Sequence, residues 1–236
     1  MIPDLQARVD KLSWWHTIDL GDGVVTPGAT FDWFQEALVN GYPPLEGRSV
    51  LDVGAWDGYY SFAAERKGAA RVLATDSLVW QERTGDYGWN HWEWDHRARP
   101  SKAGFLLARE ALESKVEDRL VDAMDISAES VGVFDVTLYF GMLYHMRHPL
   151  LALEKVAAVT REAVVVESHY DLGNLEYPAL RFYPGKEQDG DPTNWVGPNP
   201  LCIGAMLREV GFAFVEELWR RPGIGPTGRV LMRAWK

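Results

Sequence analysis

The chain of 236 residues has a single cysteine, Cys202. One thiol excludes an intramolecular disulfide and any zinc site built from several cysteines. Histidine is also scarce, six in all. None falls in an HExxH pattern, and no metal is expected. No apolar run approaches the roughly 18 residues of a membrane-spanning helix. The start, MIPDLQARVDKLSWW, lacks a basic-then-apolar leader. The expectation is a soluble, cytoplasmic protein with no membrane partner. Positive charge is short: 24 Lys and Arg against 34 Asp and Glu leave −10 at pH 7. That balance argues against nucleic acid as a partner unless the basic residues cluster. Internal repeats and low-complexity tracts are absent.

Tryptophan, by contrast, is abundant, with 11 in the chain and four crowded into Trp80–Trp94. They read either as core pieces or as an aromatic wall around a planar or apolar ligand. From residue 48 on, strands and helices alternate. Ser49–Val53, Arg71–Thr75, Arg119–Val121, Phe134–Tyr139 and Ala163–Glu167 are predicted strands. Gly58–Gly68, Gly104–Ser114, Leu150–Val159 and Pro200–Val210 are predicted helices, with Asp57 as N-cap of the first. Phe212–Trp219 and Gly228–Trp235 follow as a hairpin across RPGIGPTG. This pattern predicts an α/β fold with a doubly wound, mostly parallel seven-stranded sheet and a C-terminal antiparallel hairpin. Residues 1–47 are expected as an N-terminal cap, and 48–236 as one domain with insertions near 78–102 and 170–199. Such long insertions usually serve as lids or binding segments.

The segment VLDVGAWDGYYSF (50–62) carries the strongest chemical signal. Gly54 suits a tight turn, and Gly58 suits a close backbone approach at a helix start. A dinucleotide loop would need glycines where Trp56 and Tyr59 stand, and no Lys-Ser/Thr follows for a phosphate loop. What remains is an acidic loop, Asp52-x-Gly54-x-x-Asp57-Gly58, suited to a positively charged ligand. Asp76, with Ser77 beside it, ends the second strand, where a carboxylate can accept both hydroxyls of a ribose. A cationic nucleoside of this kind is S-adenosylmethionine, with S-adenosylhomocysteine as its product. The competing reading has Asp52 and Asp57 merely capping turns.

On these residues the chain resembles the class I S-adenosylmethionine-dependent methyltransferases. The resemblance implies that the glycine loop holds the methionine portion and Asp76 the ribose. It also implies that VDAMDI flanks adenine, with Asp122 and Met124 the candidates. In FDVTLYFGMLYHMRHPL (134–150) the strand ends near Phe140–Gly141, and a loop presents Tyr144, His145, Arg147 and His148. A hydroxyl acceptor must lose a proton, and histidine suits that task. His145 is the first candidate for general base, against a role in holding the loop's shape. His148, before Pro149 at a helix start, reads as structural.

LYHMRHPL, GRSVLDVG and TNWVGPNPLCIGAMLREVGF (193–212) resemble the tRNA wobble-uridine (5-oxyacetyl) carboxymethyltransferase family and its shorter relatives. That family implicates Tyr144 against the cofactor. Its enzymes carry an additional N-terminal region, and a lysine after a DW pair helps to bind a carboxylated cofactor. Here Asp32–Trp33 is followed by Phe34, which points to plain methyl transfer.

His16, in WWHTIDLGDGVVTPG (14–28), is a candidate to face the sulfonium or the acceptor, or else packs a helix-to-loop transition. Glu167 and His169, two apart on a strand, share a side and are candidates for the acceptor, His169 also for catalysis. Asn194 and Trp195 are candidates for substrate recognition. Arg229 is a weaker candidate for an acidic substrate group. The reading is methyl transfer to O or N of a small-molecule acceptor, a natural product or a sugar-bearing metabolite. The alternatives are a tRNA wobble-uridine methyl- or carboxymethyltransferase and a non-catalytic adenosylmethionine-binding regulator. A homodimer is left open.

Overall fold

A computed structural model describes residues 2–80 and 101–236. The strand order β3 (Glu117–Leu120), β2 (Arg71–Asp76), β1 (Ser49–Val53), β4 (Phe134–Phe140), β5 (Thr160–Tyr170), β9 (Gly228–Trp235), β8 (Phe214–Pro222) makes a seven-stranded sheet among these residues, and a separate pair is formed by β6 (Leu180–Phe182) and β7 (Val196–Pro198). Contacts divide the chain into two compact units that meet in sequence at Asp122 and Ala123. Among the described residues, no helix is long and apolar enough to cross a membrane.

In the first unit, β1 (Ser49–Val53), β2 (Arg71–Asp76) and β3 (Glu117–Leu120) run parallel. Val50, Leu51, Val53, Val72, Leu73 and Ala74 are all buried, as expected when both faces of a parallel sheet are covered. The helices are α1 (Leu5–Val9), α2 (Asp32–Asn40), α3 (Tyr59–Arg66) and α4 (Lys102–Ala111). The first two fall in the segment expected as a cap and were not predicted, α1 having only five residues.

In the second unit, β4 (Phe134–Phe140) pairs parallel with β5 (Thr160–Tyr170). β9 (Gly228–Trp235) runs antiparallel to both β5 and β8 (Phe214–Pro222), which is the expected hairpin. Helix α5 (Pro149–Ala158) begins with Pro149 in its first turn, where the missing N–H costs nothing. Helix α6 (Pro200–Glu209) has the same proline, and Asn199 Oδ1 accepts the Cys202 N–H at 2.8 Å, a side-chain N-cap.

Several boundaries differ from the sequence reading. β5 extends three residues past Glu167 because His169 and Tyr170 keep pairing with β9. β3 begins two residues and ends one residue earlier than expected, where the Arg71–Glu117 pair at 2.8 Å supports it. The 170–199 insertion contains β6 (Leu180–Phe182) and β7 (Val196–Pro198); neither reads as a strand, since β6 is exposed and β7 contains Gly and Pro.

Candidate functional site

In the first unit the chemistry gathers at the carboxyl ends of β1 and β2. Gly54 and Gly58 both have positive φ, 81° and 88°, and Trp56 joins them at 51°. Gly58 is the N-cap residue of α3, with no side-chain cap. A Cβ there would lie 2.6 Å from the rings of both Phe62 and Phe105. Packing therefore demands glycine at 58 as strongly as the turn does. The expectation of Asp57 as helix cap is corrected. Its Oδ2 accepts the N–H groups of Trp15 (2.8 Å) and His16 (2.9 Å), and its Oδ1 pairs with His16 Nδ1. The charge has better use on a chain that brings two amides and an imidazole than on its own helix.

His16 is 4% exposed. Its ring stacks on Tyr59 at 5.5 Å and meets Tyr60 edge-on at 4.8 Å. Gln35 of α2 clamps the next residue, accepting the Thr17 N–H and donating to the Thr17 carbonyl. Trp15 stacks on Trp56 at 5.1 Å, and Trp80 Nε1 donates to the Trp56 carbonyl at 2.6 Å.

Asp76 closes the glycine loop from the next strand. Its Oδ2 accepts the Trp56 N–H at 3.0 Å and its Oδ1 the Val79 N–H at 2.8 Å. The backbone amides of Leu78 and Trp80 add to these bonds, so the turn after β2 holds the carboxylate as well as the glycine loop. Burial pushes the Asp76 carboxyl up to about 6, against the pull of these amides. Asp52, buried beneath the loop, is likewise pushed by burial to about 6, and it accepts the Ser61 hydroxyl at 2.5 Å. Ser77 donates to Asp122 Oδ2 at 2.8 Å, joining the ends of β2 and β3.

In the second unit, Glu167 is 1% exposed on β5. It takes a two-pronged ion pair from Arg229 of β9 (Nε to Oε1 2.6 Å, Nη2 to Oε2 2.7 Å) and also accepts the Gly141 N–H at 3.1 Å. Burial opposes the Arg229 charge, but Glu167 and Tyr144 outweigh it and hold the guanidinium protonated. The guanidinium carbon lies 5.0 Å from the Tyr144 ring centre. Burial raises the Tyr144 hydroxyl, which stays neutral.

His145 sits in a short 3-10 turn, Leu143–His145. Its Nδ1 is 3.1 Å from both the carbonyl and the hydroxyl of Thr193. Burial lowers its pKa. Trp195 N–H donates to the Tyr144 carbonyl at 2.8 Å, and Arg147 lies over the Trp195 ring at 4.0 Å. The 193–195 segment thus braces the Tyr144–Arg147 loop. Asn194 Nδ2 donates to the Gln188 carbonyl at 3.1 Å, while its buried Oδ1 has no partner among the described residues. His169 contacts the Tyr183 hydroxyl, which donates in turn to Asp171.

The N-terminal domain of EvdMO1, solved with S-adenosylhomocysteine and D-fucose, is similar over 100% of this chain and 97% of its own, with a TM-score of 0.69 at 19% identity. A 1,6-didemethyltoxoflavin-N1-methyltransferase from Burkholderia thailandensis aligns over 81% of this chain and 72% of its own, with a TM-score of 0.53 and 18% identity. The fold is that of the class I methyltransferases. The tRNA U34 carboxymethyltransferase of Pseudoalteromonas translucida is 25% identical over 195 residues, 78% of this chain and 51% of its own. That of Chromohalobacter salexigens is 28% identical over 208 residues, 81% and 52%. The chain spans about half the length of these curated relatives. No family model matches it.

On this methyltransferase fold the candidate residues form two clusters. Asp52, Gly54, Trp56, Asp57, Gly58, Asp76, Ser77, Asp122 and His16 belong to the first unit. Phe140, Gly141, Tyr144, His145, Glu167, His169, Asn194 and Trp195 belong to the second, as does Met124 in the turn Ala123–Asp125. The expected aromatic wall falls mostly outside the described residues; of its four tryptophans only Trp80 is described. Sequence reasoning missed Tyr183, Asp171 and Gln35. Asp171 follows His169 by two positions, a signal that was present. Tyr183 and Gln35 reach their partners only through the fold.

Proposed function

We propose that the chain is an S-adenosylmethionine-dependent methyltransferase acting on O or N of a small-molecule acceptor. One observation carries the reading: Asp76, a buried carboxylate that ends β2, accepts the Trp56 amide and so is tied directly to the glycine loop after β1. A ribose diol needs such an acceptor. Asp52, Gly54, Trp56 and Gly58 would form the wall for the methionine part, and Asp76 with Ser77 the ribose seat. Asp122 and Met124 would flank adenine. Phe140, Gly141 and Tyr144 would line the reactive end. Asp57 and His16 would order the segment over this loop, so we assign His16 to positioning. The bound group would supply an electrophilic methyl on a sulfonium. The protein would align the acceptor and exclude water.

The net charge of −10 and the EvdMO1 domain solved with a sugar support a small acceptor, with Glu167, Asn194 and Trp195 as its contacts. Similarity to the tRNA U34 carboxymethyltransferases favours a second reading, modification of wobble uridine with a carboxylated cofactor. Phe34, in place of a lysine, and the engagement of Arg229 with Glu167 weigh against it. Calorimetric titration with adenosylmethionine, carboxy-adenosylmethionine and adenosylhomocysteine separates the two. Preference for the plain cofactor is expected. Preference for the carboxylated one would transfer the assignment to the second reading, and binding of none would overturn both.

A further inference from the structure

His169 is the penultimate residue of β5 and 5% exposed. Its Nε2 lies 3.0 Å from the Tyr183 hydroxyl, and that hydroxyl donates to Asp171 Oδ2 at 2.9 Å. A phenol has one proton. Since Tyr183 gives it to Asp171, the phenol oxygen must accept from the imidazole, and the ring carries its proton on Nε2. No described residue bonds to Nδ1, whose lone pair is therefore open. Asp171 is itself fixed, accepting from Arg181 at 3.0 Å and from the Leu172 N–H at 2.6 Å. The relay is packed tightly: a Cβ at Gly197 would stand 2.2 Å from the Tyr183 oxygen and 2.8 Å from the Asp171 Cβ. The arrangement is an imidazole oriented, through a hydroxyl, by a buried carboxylate, the general logic of a positioned base.

We propose that Asp171 and Tyr183 hold His169 as the general base that takes the proton of a hydroxyl acceptor, making the reaction O-methyl transfer to an alcohol or phenol. The inference rests on the methyltransferase reading. In the step, the acceptor oxygen forms a bond to the methyl carbon. The carbon–sulfur bond breaks with its electron pair going to sulfur, and the hydroxyl proton passes to Nδ1. The products are the methyl ether, adenosylhomocysteine and an imidazolium. His145 has a parallel arrangement, its Nδ1 3.1 Å from the carbonyl and the hydroxyl of Thr193 and that hydroxyl donating to Asp191 Oδ1 at 2.7 Å, so His145→Gln is the comparison variant, expected to lower kcat less than His169→Gln.

The groups facing His169 are Arg229 of β9, Tyr144, Tyr183, Asp171 and Asp189. Burial, then Arg229, lowers the imidazole to about 4, so it is neutral at pH 7 and available to accept. A base this weak suffices because the oxygen becomes strongly acidic as it is alkylated. The orphaned Oδ1 of Asn194 lies one residue from Trp195, whose carbonyl accepts the Tyr183 N–H at 2.9 Å. It is an acceptor still lacking a donor, which a polyhydroxylated substrate would supply.

The test is a two-bond proton–nitrogen correlation spectrum of the full chain labelled at its histidine nitrogens, from pH 8 to 4. His169 is identified by loss of its signals in His169→Gln, and adenosylhomocysteine is titrated calorimetrically into the same samples. The expected spectrum has His169 neutral at pH 7 and protonated on Nε2, with that preference lost in Tyr183→Phe, which keeps the ring and removes only the hydroxyl. An Nδ1–H tautomer, or a cation at pH 7, overturns the proposal. Wild type that fails to bind adenosylhomocysteine instead overturns the methyltransferase reading. With methyl-labelled adenosylmethionine and either D-fucose or catechol as probe, His169→Gln is expected to lower kcat about 10²–10⁴-fold with unchanged adenosylhomocysteine affinity. Tyr183→Phe and Asp171→Asn are expected to lower kcat less and to move its acid limb. An unchanged kcat in His169→Gln refutes the assignment. If neither probe is methylated, the tautomer alone decides.

Discussion

Replacing Asp76 by Asn changes one atom in a carboxyl group that is 3% exposed, and folding and binding should respond differently. Burial raises this carboxyl from 3.8 to about 6. The folded state thus favours the protonated form, and a penalty appears as pH rises from 3.8 through 6. At pH 7 a shift of this size corresponds to about 3 kcal/mol against the folded state. Asn is neutral and removes that penalty. It also turns an amide NH₂ toward one of the backbone N–H groups, such as those of Trp56 and Val79, that the carboxylate accepts. An N–H left unpaired costs about 1–3 kcal/mol. The two effects nearly cancel, so the melting temperature should stay within a few degrees of wild type. Binding has no such compensation. Hydrogen bonds from a carboxylate to two ribose hydroxyls contribute about 1.5–3 kcal/mol each, and losing one or both weakens adenosylhomocysteine by about 10–10⁴-fold. The assay is calorimetric titration at pH 7.5 beside differential scanning calorimetry. An affinity within threefold of wild type, in a normally folded variant, would refute the ribose assignment.

Glu167→Gln leaves the Arg229 cation without its counter-charge, and removing one partner of a buried ion pair costs about 3–5 kcal/mol. Thermal unfolding should fall by roughly 6–20 °C at this chain length, and an unchanged melting temperature would show that the pair is solvated. Adenosylhomocysteine affinity should be flat above pH 7 and fall as pH drops through about 6, where Asp76 and Asp52 take up protons; affinity that is constant to pH 5 would contradict the carboxylate role. Asp57→Asn should release the segment that contains Trp15 and His16, seen as faster limited proteolysis between residues 10 and 30 before any loss of global structure. Gly58→Ala places a Cβ against Phe62 and Phe105 at positive φ and should lower stability by about 1–3 kcal/mol, read from denaturant unfolding.

The order of strands and helices from residue 48 was legible because each carries a local signature. Val50–Val53 and Ala163–Val166 are continuous apolar runs, and Pro149 and Pro200 mark helix starts. The acidic glycine loop and Asp76 were legible for the same reason, since each stands at a strand end that the sequence alone identifies. Asp57 was misplaced because its partners, Trp15 and His16, lie more than 40 residues away. Its carboxylate went to three donors brought by tertiary contact. Short helix α1 and the β6–β7 pair were hidden because their patterns are too brief or too exposed to show periodicity.

The sequence by itself determined the fold class, the acidic character of the first glycine loop, and the carboxylate that ends the second strand, because these depend on residue type at fixed spacing along consecutive elements. Only the tertiary structure decided how the charges are engaged. It joined Glu167 to Arg229, His16 to Asp57, and His169 to Tyr183 and Asp171. A buried charge or imidazole takes whatever partner the fold brings within 3 Å, and chain separation, 62 residues for Glu167 and Arg229, gives no local sign of it.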